Sequence, residues 1–389
     1  MDLTIQPRLL RGGVQAIPSK SLAHRYLICA AFADAPTQLR CGETSRDIEA
    51  TVDCLRALGA QILHSDSGYT VFPIQRIPDR AVLNCCESGS TLRFLLPVAG
   101  ALGLDATFLM EGRLPQRPLF PLWEEMERMG CVISRPTETT IRCTGKLQPG
   151  TYTIDGGVSS QFITGLLFAT SLIQEPCELQ VTGTIESKPY LDMTREAMRL
   201  FHAPHYRTPG YIDIEGDWSN GAFWVAAQFL GSKLSVRGLN AISVQGDRAV
   251  VDIARTLVKS APTVSASDIP DLVPILSVLA AAHHGAVFTN IQRPRLKESD
   301  RVAATAAMIE NLGGKAKASE DSLRISGTGL SGGIVDSRGD HRIAMAAAIA
   351  ATVCSRPVTI LGAEAVHKSY PGFWKEYEKL GGHYEQYLR

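Results

Sequence analysis

The sequence predicts an α/β fold built from repeated units, and three features carry that expectation. Short β-rich runs alternate with helical patterns along the whole 389-residue chain, which is the grammar of an α/β protein. Helical segments end alike, with glycine after the last apolar residue and a strand pattern beyond it: Leu58-Gly59-Ala60-Gln61-Ile62, Met129-Gly130-Cys131-Val132-Ile133, Leu312-Gly313-Gly314 and Leu380-Gly381-Gly382. Glycine there supplies the left-handed cap that lets the chain leave the helix. These units recur at roughly 55 to 70 residues, and self-similarity at a near-constant period marks repeated supersecondary structure.

In chain order the strand candidates are residues 69–73, 106–110, 151–154, 179–181, 211–214, 233–236, 287–290, 322–325 and 358–361. Degenerate helix ends fall at residues 198–205, where Phe201-His202-Ala203 replaces the glycine turn, and near residues 257–264. That makes six units, and because a βαβ crossover needs about 30 residues, each unit holds more than one. No Gly/Ser linker divides them. The seam is expected at Glu215-Gly216-Asp217-Trp218-Ser219, where a strand pattern gives way to a helix starting at Asn220 or Gly221, with three repeats on each side.

Lysine plus arginine equals aspartate plus glutamate at 39 each, so there is no global field to draw in nucleic acid or a membrane surface, and any cationic focus is local. An apolar fraction of 45% and this length suffice for two sizeable cores. Nine cysteines are scattered without CxxC or Cys/His metal spacing, the pattern of reduced thiols in a cytoplasm. The start Met1-Asp2 carries no charged-then-apolar leader, and runs such as residues 343–354 are too short to span a bilayer.

The local cationic focus is visible as one device used repeatedly. Pro18-Ser19-Lys20-Ser21-Leu22-Ala23-His24-Arg25 runs into an apolar helix. The first N–H groups of a helix lack partners and carry partial positive charge, so lysine, serine and arginine on that turn make an anion site. Ser21 and Arg25, four apart, share a face. Ser159-Ser160-Gln161 opens a second apolar helix and Gly339-Asp340-His341-Arg342 a third; in Arg293-Pro294-Arg295-Leu296-Lys297-Glu298-Ser299-Asp300-Arg301, Lys297 and Arg301 are expected on one helix face with Glu298 beside them. Arg93 after Glu87-Ser88-Gly89-Ser90-Thr91, Arg117 and Lys368 complete the set. Each alone reads as a solvated cation; together they fit a small polyanionic ligand.

Other strings carry less. Gly327-Thr328-Gly329-Leu330-Ser331-Gly332 matches GxGxxG but is followed by a strand pattern, so the helix that would cradle a dinucleotide is missing. No GxxxxGK[ST] occurs, and neither His283-His284 nor the cysteines form a metal set. His24 and His341 lie beside arginines and read equally well as hydrogen-bonded structural histidines.

The ordered motifs Lys-Ser-x-x-His-Arg, Gly-x-x-x-x-x-Arg, Ser-Ser-Gln-Phe, Ser-Lys-Pro-Tyr, Ile-Pro-Asp, Leu-Lys-Glu-Ser-Asp-Arg and Asp-His-Arg resemble the EPSP synthase family of enolpyruvyl transferases, from Pro18 to Pro371. The resemblance implies a two-lobed inside-out α/β barrel, each lobe three βαβαββ units, with residues 1–18 plus 216–389 in one lobe, 19–215 in the other and the site in the cleft. It implies transfer of the enolpyruvyl group of phosphoenolpyruvate to the 5-hydroxyl of shikimate 3-phosphate, on the route to chorismate and the aromatic amino acids. The enzyme is expected to be a cytoplasmic monomer of the family that glyphosate targets, with no metal or organic cofactor because arginines neutralise the charge.

By the same resemblance shikimate 3-phosphate is held by Ser21, Arg25, Ser159, Ser160, Gln161, Ser187, Asp271, Arg293 and Lys297, with Tyr190 against its ring. Phosphoenolpyruvate is gripped by Lys20, Gly89, Arg117, Gln161, Arg301, Arg342 and Lys368. Glu298 is expected to protonate the methylene carbon, Asp271 to accept the proton of the 5-hydroxyl and Lys20 to protonate the departing phosphate; Lys20 as base with Asp271 orienting is the alternative. The chain departs from some relatives at Glu87-Ser88, where others have Asn-Ala, at Arg293, where others have asparagine, and at Ser19, which replaces a Gly-Asp stretch. Two rival readings are a UDP-amino-sugar enolpyruvyl transferase, which uses a loop cysteine absent from Gly112-Arg113-Leu114-Pro115-Gln116-Arg117, and a non-catalytic phosphate-binding relative.

Overall fold

The computed structural model describes residues 1–387. The chain folds into two compact units, one from Pro18–Ile214 and one from Met1–Ile17 together with the chain from Glu215 onward.

In the first unit the helices are α1 (Lys20–Ala31), α2 (Arg46–Ala57), α3 (Gly89–Leu102), α4 (Leu122–Arg128), α5 (Ser160–Leu172) and α6 (Lys188–Leu200). Every residue of α1 from Leu22 to Ala31 is buried, which a helix sustains only when it is surrounded by protein. Strands such as Arg80–Asn84 alternate exposed and buried positions, so their sheets present one face to the helices and one to water. The helices therefore form the inside and the sheets the outside. One sheet runs Tyr211–Asp213, Thr37–Arg40, Gly68–Phe72, Gln61–Ser65, and a second runs Arg80–Asn84, Asp105–Leu109, Thr140–Gly145, Cys131–Thr137; in each, a parallel pair continues into an antiparallel hairpin. The third repeat keeps only its parallel pair, Gly150–Asp155 with Cys177–Thr182. After α6 the chain turns through His202, at φ 56°, and its last strand closes the first sheet. Asp-, Asn- and His-type side chains tolerate that left-handed turn better than most, so histidine does there what glycine does elsewhere. Gly165 lets α5 approach α3: a Cβ at that position would lie 2.1 Å from the Arg93 carbonyl oxygen.

The second unit repeats the plan with α7 (Trp218–Phe229), α8 (Val250–Leu257), α9 (Val273–Ala282), α10 (Arg301–Asn311), α11 (His341–Ala351) and α12 (Phe373–Lys379). Its sheets are the parallel pair Arg11–Gln15 with Lys233–Arg237, the order Thr263–Ser265, Gly285–Thr289, Ser322–Ser326, Lys315–Ala318, and the order Gly333–Asp336, Val358–Leu361, Asp2–Ile5, Tyr384–Tyr387. Pairing of Asp2–Ile5 with the late strands draws the N-terminal segment into this unit. Helix α7 starts at Trp218, two residues earlier than the apolar pattern suggests, because the Asp217 side chain accepts from the Asn220 amide at 2.8 Å and caps it. Gly333–Asp336 is a strand, as the GxGxxG context suggests. No helix among the described residues is long and apolar enough to cross a membrane.

Candidate active site

In the Pro18–Ile214 unit the sequence motifs sit at helix N-termini. Ser19 caps α1, Ser88 caps α3 and Ser159 caps α5, each with its hydroxyl accepting a backbone N–H; Ser187 precedes α6 in a left-handed conformation at φ 55°. Lys20 is the first residue of α1, and its ammonium lies 2.7 Å from Asp47 Oδ2, on the first turn of α2. Arg25 is buried against Phe94. Its guanidinium donates to the Ser21 carbonyl at 2.6 Å, the Tyr190 carbonyl at 2.9 Å and Thr194 Oγ1 at 2.8 Å. Ser21 and Arg25 thus meet as expected, but through the Ser21 main chain, and these bonds fix the guanidinium plane. Burial pulls Arg25 down to about 10, still charged at neutral pH.

Helices α3 and α5 are joined at their first turns. Gln161 Nε2 donates to Ser90 Oγ at 2.9 Å, and its Oε1 accepts from Arg93 Nη1 at 3.3 Å. Arg93 also donates to the Pro118 carbonyl at 3.0 Å, beside Arg117. Gly89, the first residue of α3, has no positive φ. A Cβ there would lie 2.6 Å from both Arg93 Nη1 and Arg117 Nη1. A side chain at residue 89 would therefore meet the ends of two guanidinium groups, which would have to move, while the backbone itself makes no demand for glycine. Arg93 stood out in the sequence only as one more cation. Its place opposite Arg117 needed the α3–α5 packing. Ser88, where some relatives carry alanine, supplies the α3 cap.

In the other unit a fully buried arginine organises the carboxylates. Arg301 Nη1 lies 2.6 Å from Asp271 Oδ1, Nη2 2.7 Å from Glu298 Oε2, and Nε 2.9 Å from Asp340 Oδ2. Asp340 also caps α11 by accepting the Arg342 amide at 2.9 Å and takes a bond from Ser299 Oγ at 3.0 Å. Asp271 further faces Lys297 Nζ and Arg342 Nη2, each at 3.5 Å. Burial alone would raise the Asp271 pKa, but Arg342, Lys297 and Arg301 outweigh it and hold the group well below the usual carboxylate range. Burial, countered in part by Asp271 and reinforced by Arg293, draws Lys297 down to about 8. Asp247, bonded by Ser219 Oγ, is pushed up to about 7 by burial and by Asp271, against the pull of Arg342. Arg342 Nη1 in turn donates to the Ser219 carbonyl at 3.2 Å.

The expected shared helix face of Lys297 and Arg301 is not formed. Residues Arg293–Leu296 make a 3₁₀ turn, Lys297 is extended, and α10 starts at Arg301 because the Asp300 side chain caps it by accepting the Ala303 amide at 3.0 Å. The Ser299-Asp300 pair was the local signal for that start. Lys297 and Arg301 still converge, both on Asp271. Lys368 ends the 3₁₀ turn Ala363–Lys368, and the adjacent Ser369 donates to Asn220 Oδ1 of α7 at 3.4 Å. Asp47, Asp340 and Asp247 were outside the expected site; as lone acidic residues far from their partners in the chain, they carried no sequence signal beyond the capping position of Asp340.

The family model for EPSP synthase (3-phosphoshikimate 1-carboxyvinyltransferase) matches residues 5–377. The chain is 37% identical to a 3-phosphoshikimate 1-carboxyvinyltransferase of Clostridium kluyveri, over 99% of this chain and 98% of that one. It is 36% identical to the enzyme of the same name from Clostridium novyi, over 98% of each. Among solved structures it superposes on the EPSP synthase of Acinetobacter baumannii with a TM-score of 0.78 at 21% identity, covering 99% of this chain and all of that one. The enolpyruvyl transferase NikO of Streptomyces tendae matches at 0.73 and 17%, over 99% of this chain and 98% of that one. The folds agree across two distinct enolpyruvyl transferases, the sequence agreement runs nearly end to end, and on that footing the chain belongs to the EPSP synthase family.

Proposed function

We infer that this enzyme, which transfers the enolpyruvyl group of phosphoenolpyruvate to shikimate 3-phosphate, does so with the residues at these helix starts and around Arg301. In this reading the capped N-termini of α1 and α5, with Ser21, Arg25, Ser159, Ser160, Gln161 and Ser187, take the sugar acid and its phosphate, together with Arg293 and Lys297. Lys20, Gly89, Arg117, Arg342 and Lys368 take phosphoenolpyruvate, and Arg93 joins them. The observation that carries the reading is the Arg301 hub, which holds two carboxylates, Asp271 and Glu298, on one buried cation. With its N–H groups directed at Asp271, Glu298 and Asp340, Arg301 acts by placing those carboxylates more than by gripping substrate.

The chemistry needs one group to protonate the methylene carbon of the enol ether and another to accept the proton of the attacking 5-hydroxyl. Asp271 is the acceptor and Glu298 the donor. The cations around Asp271 keep it ionised in the free enzyme, and when phosphate and carboxylate groups settle on Lys297 and Arg342 their negative charge offsets that field. The affinity of Asp271 for protons then rises when substrates are in place. Lys20, held toward Asp47 beforehand, is the donor to the departing phosphate. The nine free cysteines fit a reducing cytoplasm. The test is phosphate release from phosphoenolpyruvate with shikimate 3-phosphate in parallel with a UDP-amino sugar: release with the first alone supports the reading, and release with the second alone, or with neither, overturns it.

Two further outcomes are expected. Lys297 contributes to phosphate binding only while protonated, and its folded pKa lies below the ordinary lysine value. The charge is therefore present below about pH 8 and lost as pH rises through it, so kcat/KM for shikimate 3-phosphate falls on that limb. Lys297→Arg moves the limb out of range, because a guanidinium stays charged; a limb at the same pH in the variant would assign it to another group. Gly89→Ala keeps the fold, since no positive φ is demanded, but its methyl displaces Arg93 and Arg117. Overpacking of about 1–3 kcal/mol raises the KM for phosphoenolpyruvate roughly five- to hundredfold and the inhibition constant for the longer glyphosate more. Equal factors in steady-state kinetics would refute the steric account.

A further inference from the structure

Between α1, α2 and α3 runs a buried chain of hydrogen bonds whose role in the reaction is unassigned. His24 Nδ1 lies 2.7 Å from Thr51 Oγ1, Thr51 Oγ1 2.6 Å from Thr91 Oγ1, and Thr91 Oγ1 2.7 Å from Ser88 Oγ. His24, Thr51, Thr91 and Ser88 are all buried. The spacing makes it the second rung of a ladder. Lys20 and His24 are four apart on α1, Asp47 and Thr51 are four apart on α2, and the outer rung Lys20–Asp47 lies one turn above the inner rung His24–Thr51.

Each hydroxyl has a single proton, which gives the chain a direction. Ser88 Oγ already accepts the Thr91 amide as the α3 cap and also accepts from Thr91 Oγ1. The Thr91 proton being used there, Thr91 accepts from Thr51, and Thr51 accepts from His24. His24 must then carry its proton on Nδ1. Its Nε2, buried with no partner among the described residues, is the lone-pair side, which is less costly to leave unpaired than an N–H. Burial lowers the His24 pKa to about 3, so the ring is neutral.

We propose that this directed chain, His24 to Thr51 to Thr91 to Ser88, positions the first turn of α3, and with it Gly89 between Arg93 and Arg117, relative to Lys20, making Thr51 and Thr91 positioning residues for phosphoenolpyruvate. The proposal rests on the assignment of Lys20 and Gly89 to phosphoenolpyruvate. Thr51→Val keeps the shape and deletes the link; Thr51→Ser keeps the link. Loss of one buried hydrogen bond corresponds to about a two- to tenfold effect. The expected result is a rise of that size in KM for phosphoenolpyruvate in Thr51→Val, little change for shikimate 3-phosphate, and recovery in Thr51→Ser.

Equal rises for both substrates, or a lowered melting temperature with both KM values unchanged, would overturn it. Should Thr51→Val fail to fold, Thr91→Val breaks the next link and the same pattern is expected. Nitrogen NMR of the His24 ring in the wild-type enzyme gives an independent reading: a neutral ring protonated on Nδ1 at pH 6 supports the chain, and protonation on Nε2 reverses it. Failure of the underlying assignment is separable, because Gly89→Ala would then leave the KM for phosphoenolpyruvate unmoved.

Discussion

Asp271→Asn is expected to lower kcat by about 10²- to 10⁴-fold, the range for removal of a positioned acid or base, in a protein that still folds. Asparagine keeps the volume and one oxygen toward Arg301, so the loss reports on charge and proton acceptance. A second readout ties the effect to this site. Asp271, more than Glu298, holds the Lys297 pKa up against burial and the neighbouring arginines. Removing it shifts the alkaline limb of kcat/KM for shikimate 3-phosphate below pH 8. Phosphate release in steady state, followed across pH, measures both; an unchanged kcat would remove Asp271 from the proton transfer, and an unmoved limb would separate it from Lys297.

Arg301→Met is expected to lose about 3–5 kcal/mol of stability, the usual penalty for removing one partner of a buried ion pair. The size follows from what is left behind: Asp271, Glu298 and Asp340 all accept hydrogen bonds from one guanidinium that has no solvent exposure. The penalty has a characteristic sign with pH. Asp271 keeps Lys297 and Arg342, but Glu298 and Asp340 lose their buried cation and take up protons more readily in the folded variant than in the unfolded chain, so the variant gains stability relative to wild type as pH falls from 7 toward 5. Urea denaturation at the two pH values measures this. Arg301→Lys restores charge but not the fork of donors and recovers only part of the loss. A variant as stable as wild type would show that the carboxylates find other partners.

Both predictions depend on pairings that local sequence does not encode. The repeat pattern, the helix ends at Gly59, Gly130, Gly313 and Gly381, and the serines and aspartates that cap α1, α3, α5, α7 and α11 are short-range effects. A cap bonds an amide two or three residues away, and a left-handed turn concerns one residue, so both are encoded locally, although the apolar pattern alone placed the α7 start after its Asp217 cap. So was the concentration of cations at those caps. The partners of the cations were not. Arg25 bonds Thr194 across 169 residues, Arg301 bonds Asp340 across 39 and Asp271 across 30, and Thr51 meets Thr91 across 40.

Such contacts exist only once the inward helices pack side by side, and the packing also set which local signal prevailed at residues 293–301. There the cap at Asp300 won over the apparent helical spacing, leaving Lys297 extended. The sequence by itself determined the repeated α/β plan, the anion-binding helix starts and the residue types available for chemistry, because these follow from propensity and periodicity over a few residues. Only the tertiary structure decided which carboxylate faces which cation and why residue 89 has no side chain, because burial and charge neutralisation are set by neighbours that the chain brings together from far apart.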